Sequence, residues 1–266
     1  MTEEILKQIK QLPPLPESVM QIEAVYQNPD STFNDMVKIL EKDPLLTADI
    51  LKAANSPLYG FSREINAISQ AVGLFGMGTV RGFALASIVK KSFQLDLSPY
   101  GISNDTFSQL SKKQHGLVTA WCLRKENKLM SVLSPAAFLV EIGKVLIAQQ
   151  VIADKKEQEF KNALEELENV EAAEREVVGS DTPEVSARIF KHWKFEESLI
   201  DVIGNCQHPE NAEEDNQRAA AILDVVRVTV PLNGNITDES IAAGKELIEK
   251  YALDMASFET AIENAR

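Results

Sequence analysis

The sequence predicts an all-α protein built as a two-lobed helical domain. Apolar residues recur at helical spacing in nearly every segment longer than eight residues of the 266-residue chain. The breaks between these segments carry Pro, Gly, Ser or Asn, which are typical of helix caps and turns. Residues 225–230 are rich in valine and would suit a strand in isolation, but no hairpin signal accompanies them. We assign them to a helix.

The composition is that of an ordinary globular protein, with 44% hydrophobic and 25% charged residues. A net charge of -13 repels phosphate backbones and anionic lipid, so we expect no nucleic-acid partner and no membrane partner. Cys122 and Cys206 fit no paired spacing, and the N-terminus lacks the layout of a secretory signal. We therefore expect a cytoplasmic protein.

The first lobe is predicted to occupy residues 1–96. Prolines interrupt residues 12–16, between a helix at residues 3–12 and one at residues 17–26, and the flanking leucines favour a packed crossover over a PxxP ligand. Ser31 or Thr32 begins the next helix as its N-cap, and Asp43 followed by proline begins another.

Two further helices are predicted at residues 67–75 and 79–93, separated by Gly76-Met77-Gly78. These glycines complete no GxGxxG motif and follow no strand, so a glycine C-cap followed by a threonine N-cap is the plainer interpretation. Residues 95–101 are irregular and predict the boundary between the lobes.

The second lobe is predicted at residues 103–266. Its first helix begins near Ser103 or Asn104 and runs to about Lys125. His115 and Cys122 lie in line on this helix, seven residues apart. A Cys/His nucleophile also needs an orienting group, which the pattern does not supply, so a buried structural cysteine is favoured.

Residues 131–151 form the longest strongly apolar stretch and predict a central helix of about 17 residues. Ser134 and Pro135 look like its N-cap and first-turn proline. Because apolar residues cover nearly the whole circumference, we expect the helix to be buried on all sides. It is short for a bilayer and is interrupted by Glu141 and Lys144, so a core helix is favoured over a membrane span.

The segment after the central helix, residues 154–176, is highly charged and predicts a solvated amphipathic helix. An acidic link at residues 210–215 is predicted as an exposed loop. The other helices are predicted at residues 182–193, 196–206 and 217–230, with two weaker ones that begin at Thr237 and Asp254.

Several motifs resemble the HDOD domain, the HD-related output domain of bacterial signalling proteins. In the first lobe they are Leu12-Pro13-Pro14-Leu15-Pro16, Asp43-Pro44-Leu45-Leu46-Thr47, Asn55-Ser56-Pro57-Leu58-Tyr59-Gly60 and residues 65–86. In the second lobe, His115 falls where the family places its first histidine, residues 139–144 resemble Leu-His-Asp-Ile-Gly-Lys, and Trp193-Lys194-Phe195 resembles Trp-Gly-Leu. The resemblance covers about residues 12–209 and implies an all-α fold with an HD-like second lobe.

The resemblance also implies a degenerate metal site. HD phosphohydrolases bind metal through a histidine, an adjacent His-Asp pair and a later aspartate. Val140-Glu141 stands where that pair belongs, and valine cannot ligate. The remaining candidates, enough in number for one weakly held divalent ion, are His115, Glu141, His208 and Asp224.

Structural roles compete for three of these residues. Glu141 and Lys144 are spaced for an i,i+3 ion pair, His115 suits a satisfied core histidine, and Asp224 suits a lobe boundary. We therefore expect no catalytic residues and no resident cofactor.

The sequence is compatible with three functions from different classes. A noncatalytic HDOD signalling module that binds another protein is favoured, because it accounts for the lost ligands. The alternative is a divergent metal-dependent phosphohydrolase that uses the remnant residues. A nucleic-acid binder ranks last, because its basic residues lack interleaved aromatics; they are Lys90, Lys91, Lys112, Lys113, Arg124, Lys125 and Lys128.

A partner surface is predicted on the first lobe, at Asn55, Leu58, Tyr59 and Phe61. Apolar side chains in a turn-rich segment are costly to leave in water unless they pack locally or against a partner. Local packing of these side chains is an equally supported alternative, since aromatic residues occur in both cores and interfaces. The identity of the partner and the oligomeric state stay open.

Overall fold

The computed structural model is all-α over the residues that it describes, which are 2–56, 59, 63–91, 95–123, 125–167 and 169–265. No strand occurs within these ranges, and residues 225–229 belong to a helix as expected. The predicted fold class is confirmed.

The described residues up to residue 91 form five helices, and local caps explain where two of them begin. The Asp43 carboxylate accepts a hydrogen bond from the Leu46 backbone N–H at 3.0 Å, with Pro44 in the first helical position. Thr32 and Asp35 form a capping box one helix earlier. These helices are α1 (Glu3–Lys10), α2 (Glu17–Gln27), α3 (Phe33–Glu41), α4 (Pro44–Ala54) and α5 (Ile68–Lys91).

Helix α5 is broken by Gly76, as the sequence predicts. Gly76 has φ 79° and ψ 163°, a conformation that is accessible essentially to glycine alone. After the break, Gly78 and Gly82 face the central stretch of the second lobe. A Cβ added at Gly82 would lie 3.1 Å from the Ser134 hydroxyl, so the missing side chain allows α5 to approach closely.

Among the residues described from 95 onward, ten helices follow a short 3-10 turn at Ser98–Tyr100. Ser103 caps the first of them by accepting a hydrogen bond from the Thr106 backbone N–H at 3.0 Å. They are α6 (Asn104–Cys122), α7 (Met130–Leu139), α8 (Gly143–Ala153), α9 (Glu157–Glu166), α10 (Val170–Val178), α11 (Thr182–His192), α12 (Glu197–Gly204), α13 (Glu214–Thr229), α14 (Asp238–Lys250) and α15 (Met255–Ala265).

The central stretch is buried as predicted, but its beginning was predicted wrongly. Helix α7 starts at Met130, so Ser134 and Pro135 lie inside the helix and Ser134 is not its N-cap. Pro135 has no N–H to donate to the Ser131 carbonyl. The Tyr26 hydroxyl contacts that carbonyl instead, at 3.5 Å.

A 3-10 turn at Val140–Ile142 joins α7 to α8. The stretch Asn127–Ala153 is long and apolar enough to cross a membrane, but residues 132–148 are buried within the protein. This burial is that of a core element, because the apolar surface is already covered by other helices.

The described residues within 154–176 lie in two helices, α9 and α10, so the prediction of one solvated helix is wrong. The Asn169 side chain begins α10 by accepting a hydrogen bond from the Ala172 backbone N–H at 2.9 Å. Glu171 and Glu174 of α10 are buried, because their carboxylates meet cations from other helices. Because these cations compensate their charges, the two carboxylates can be buried without contact with water.

Arg81 joins the first helices to the second lobe. Its side chain is buried and donates to both carboxylate oxygens of Glu23 on α2, at 2.6 and 2.7 Å. A third nitrogen donates to Glu196, just before α12, at 2.8 Å. The Tyr26 ring lies against the guanidinium, 4.3 Å from ring centroid to Cζ. One planar side chain therefore links α2, α5 and α12.

Candidate functional site

A cleft of about 540 Å³ in the second lobe contains three of the four predicted remnant residues. Glu141, His208 and Asp224 line it, together with side chains from α8, α10, α13 and α14. His115 does not line it. The structure therefore brings together only part of the predicted set.

His115 is a satisfied core histidine. The Tyr59 hydroxyl lies 2.6 Å from its Nδ1, and the Ser134 hydroxyl lies 2.9 Å from its Nε2. Its ring stacks on Phe138, with centroids 3.9 Å apart. Burial lowers the pKa of His115 to about 3, so the imidazole is neutral at physiological pH. A neutral ring can accept at one nitrogen and donate at the other, as its two hydroxyl neighbours require.

Ser134 and His115 have the separation of a nucleophile and its base. Both side chains are fully buried, and neither lines the cleft. A substrate would have no route to the hydroxyl, so this contact stabilises the packing of α6 on α7.

Glu141 is held by cations of the chain itself. The Arg227 Nε donates to its carboxylate at 2.8 Å, and the Lys144 Nζ lies 3.0 Å from its other oxygen. The predicted i,i+3 ion pair is therefore present. Burial alone would raise the pKa of Glu141, but Arg227 and Lys144 hold it well below its ordinary value. The Gln114 amide donates a further hydrogen bond at 3.2 Å.

Lys144 and Arg227 extend these contacts to α10. Lys144 donates to Glu174 at 3.1 Å and to the Thr182 hydroxyl at 3.0 Å, and Arg227 pairs with Glu171. Burial would lower the pKa of Lys144, but the surrounding carboxylates raise it instead. We call the five charged side chains the buried charge cluster; they are Glu141, Lys144, Glu171, Glu174 and Arg227.

Sequence reasoning missed Glu171, Glu174 and Arg227. The two glutamates lie three residues apart and so share one helix face, which is a signal for a common partner. Arg227 follows Glu171 by 56 residues, and no local pattern connects them.

Asp224 and His208 occupy different depths of the cleft. Asp224 is only 7% exposed, and its Oδ2 accepts a hydrogen bond from the Tyr251 hydroxyl at 2.8 Å. Burial raises the pKa of Asp224. The His208 side chain is 66% exposed, and its Nδ1 lies 3.5 Å from a Glu210 oxygen. His208 is therefore a residue of the rim.

These residues do not fit the divalent metal centre that the HD resemblance implies. Val140 has no donor atom, Glu141 is neutralised by two cations, and His115 lies outside the cleft. In the part of the chain that the structure describes, no group of three or more His, Cys, Asp or Glu is arranged to hold a metal ion.

The predicted partner surface is described in part. Tyr59 packs locally, because its ring contacts Phe75 and Phe83 at centroid distances of 5.0 and 5.8 Å and its hydroxyl contacts His115. These contacts favour the local-packing alternative for the half-buried Tyr59. Burial also raises the pKa of Tyr59.

Asn55 is exposed and ties the two ends of its segment together. Its Oδ1 accepts a hydrogen bond from the Ile65 backbone N–H at 2.8 Å, and its Nδ2 donates to the Ile65 carbonyl at 2.9 Å. Leu58 and Phe61 lie outside the described residues. A partner surface at Asn55, Leu58, Tyr59 and Phe61 stays a prediction.

Comparison with known proteins agrees with the fold. The family model of the HDOD domain matches residues 12–209. A virulence factor of Campylobacter jejuni subsp. jejuni is 27% identical, with 99% of this chain and 100% of that chain covered and a TM-score of 0.59. An HDOD domain protein of unknown function from Geobacter sulfurreducens is 19% identical, with 98% and 91% covered and a TM-score of 0.66.

Two other relatives extend this picture. A provisionally named phosphohydrolase of Shewanella amazonensis SB2B is 23% identical, with 99% of this chain and 94% of that chain covered and a TM-score of 0.70, and it shows the fold alone. An uncharacterized protein of Treponema pallidum (strain Nichols) is 33% identical over 73 residues. That match spans 27% of this chain and 14% of the length of the relative.

Proposed function

This chain belongs to the HDOD domain family, and from that premise we propose that it is a noncatalytic signalling or output module that acts by binding another protein. The side chains around Glu141 support the proposal, and so does the free-energy cost of displacing them.

The observation that carries the proposal is the position of Glu141 between Arg227 and Lys144. A hydrolytic metal centre needs ligands whose lone pairs face the ion, and an open position for water. The two Glu141 oxygens instead lie beside two cations of the chain, and the neighbouring Val140 offers no lone pair. Among the described residues of the cleft, this arrangement argues against a hydrolytic metal centre.

Binding of a metal ion at Glu141 would cost free energy. A metal ion at Glu141 would have to displace Lys144 or Arg227, which are both buried. Removing one partner of a buried ion pair typically costs about 3–5 kcal/mol, because it leaves a buried charge uncompensated. The buried charge cluster therefore opposes metal entry.

The proposed site of action is the cytoplasm, since the apolar stretch Asn127–Ala153 is covered by the protein's own helices. The experiment that tests the proposal is capture of the native chain from its own cells, followed by reconstitution with the purified partner. We expect a saturable complex whose formation needs no divalent ion.

Two outcomes would contradict this function. One is a complex that vanishes when divalent ions are chelated. The other is metal-dependent turnover that is lost in Glu141→Gln and Asp224→Asn separately, which would promote the phosphohydrolase alternative.

A further inference from the structure

The buried part of the cleft holds more carboxylates than cations. Three buried carboxylates line it, those of Glu141, Glu171 and Asp224, together with the two buried cations of Lys144 and Arg227. Buried charges are normally paired, because an isolated ion is expensive to remove from water. One formal negative charge at the cleft therefore lacks a buried counter-ion, and Asp224 is the carboxylate that forms no ion pair among the described residues.

Asp224 presents an unused acceptor to the cleft. It is more than nine-tenths buried, and its Oδ2 accepts the Tyr251 hydroxyl hydrogen bond. Among the described residues, no group donates to its Oδ1. Because Asp224 also lines the cleft, this free oxygen is available to a ligand that carries a donor or a positive charge.

The position of the Lys250 ammonium indicates where the positive charge of a ligand can bind. This ammonium is 4.9 Å from the centroid of the Tyr251 ring and 3.4 Å from the hydroxyl of that ring. Lys250 is exposed, and it pairs with no carboxylate in the ranges that the structure describes. The Tyr251 ring thus already attracts an ammonium group, supplied by a flexible side chain that a ligand can displace.

Other residues that line the cleft are suited to contact the apolar part of a ligand. The apolar wall, as we call it, consists of the apolar residues that line the cleft, which are Val228, Val230, Pro231, Leu232 and Leu247. At the rim, Arg175 pairs with Asp181 and therefore adds little free positive charge. The cleft volume of about 540 Å³ is in the range of small-molecule sites, and the chain's net charge of -13 attracts cations.

We propose that this cleft binds a small organic cation, with its ammonium group between Asp224 and the Tyr251 ring and its apolar body against the apolar wall. This site does not depend on the proposed protein partner. It also needs no metal ion, for which the described residues offer no ligand set.

The test uses three probes that share a phenyl ring and a four-carbon chain: 4-phenylbutylamine, 4-phenylbutanol and 4-phenylbutyrate. Binding to the full chain is measured by titration calorimetry at neutral pH. We expect the amine to bind saturably, at least tenfold more tightly than the alcohol, and the carboxylate to bind most weakly. Asp224→Asn should weaken amine binding at least tenfold.

Lys250→Met keeps the test valid if Asp224→Asn fails to fold. Removing the competing ammonium should raise amine affinity several-fold, because the Tyr251 ring becomes free. The matched control is Lys245→Met on the same helix, where Lys245 pairs with Glu259 on α15 and lies outside the cleft. It should leave amine affinity unchanged.

Several results would overturn the proposal. These are no amine binding at millimolar concentration, equal affinity for amine and alcohol, tighter binding of the carboxylate, or amine binding that neither Asp224→Asn nor Lys250→Met alters. None of these results bears on protein-partner capture, so the two proposals fail separately.

Discussion

The Lys144 ammonium lies 3.0 Å from the Glu141 carboxylate, and both side chains are buried one helical turn apart. The pair stands where the HD resemblance implies a metal ligand. The positive charge beside the Glu141 carboxylate is therefore supplied by a lysine of the chain, where the resemblance implies a metal ion.

Replacing Lys144 with methionine should lower the free energy of unfolding by about 3–5 kcal/mol, because Glu141 and Glu174 would lose a shared buried cation. Urea denaturation of the variant and the unmodified chain measures this. Lys245→Met is the control, since the pair of Lys245 with Glu259 is half-exposed and such pairs contribute about 0–1 kcal/mol. Equal losses in the two variants would contradict a structural role for the buried pair.

Tyr59→Phe should lower the free energy of unfolding by about 1–3 kcal/mol, because the His115 Nδ1 would be left buried without its hydroxyl partner. Thermal and urea unfolding measure the loss. Adding His115→Phe removes the unpaired nitrogen, so the double variant should show a favourable coupling energy. Unchanged stability in Tyr59→Phe, with weakened partner capture, would contradict the packing role and favour Tyr59 as a contact residue.

Stability should fall on acidification through His115. Burial lowers its pKa from about 6.5 to about 3, so between these values the unfolded chain binds a proton that the folded chain does not. The contribution is fully present above pH 6.5 and decreases by about 1.4 kcal/mol for each pH unit below it. Urea denaturation between pH 7 and pH 5 measures the slope. His115→Gln should flatten it, and an unchanged slope in the variant would refute the assignment.

Helix α5 offers two glycines that should respond oppositely to alanine. At Gly82 the new Cβ would lie 3.1 to 3.3 Å from Ser134, Pro135 and Phe138, so we expect a loss of about 1–3 kcal/mol. At Gly73 the nearest atom is 4.0 Å away, so alanine should gain about 0.5–1 kcal/mol from helix propensity. Denaturant midpoints compare the two, and a stabilising Gly82→Ala would contradict the close approach of α5 to α7.

The elements governed by local signals were predictable from sequence. Gly76 breaks α5, Asp43 caps α4 and Thr237 caps α14, and each of these depends on residues within one helical turn. Ser134 was misassigned because a serine followed by proline is typical of a helix start, and the local sequence does not show that the helix already begins at Met130. Its actual partner, His115, lies 19 residues away.

The site was less predictable because its contacts are distant in sequence. Glu171 looks like a solvated residue in its own segment, and only Arg227 explains its burial. A core position for His115 was among the expectations, but its contact with Tyr59 spans 56 residues and no local pattern indicates that partner. Charge pattern alone cannot distinguish a buried pair from a solvated face.

The most direct test of the central claim is turnover by the purified full chain. Nucleotides, cyclic nucleotides and generic phosphoesters are supplied with added manganese, magnesium, iron or nickel, and the metal content of the same preparation is determined. Because Arg227 and Lys144 hold Glu141, we predict less than one metal ion per chain and no turnover above that of Asp224→Asn. Turnover that follows metal occupancy and is abolished by both Glu141→Gln and Asp224→Asn would contradict the account.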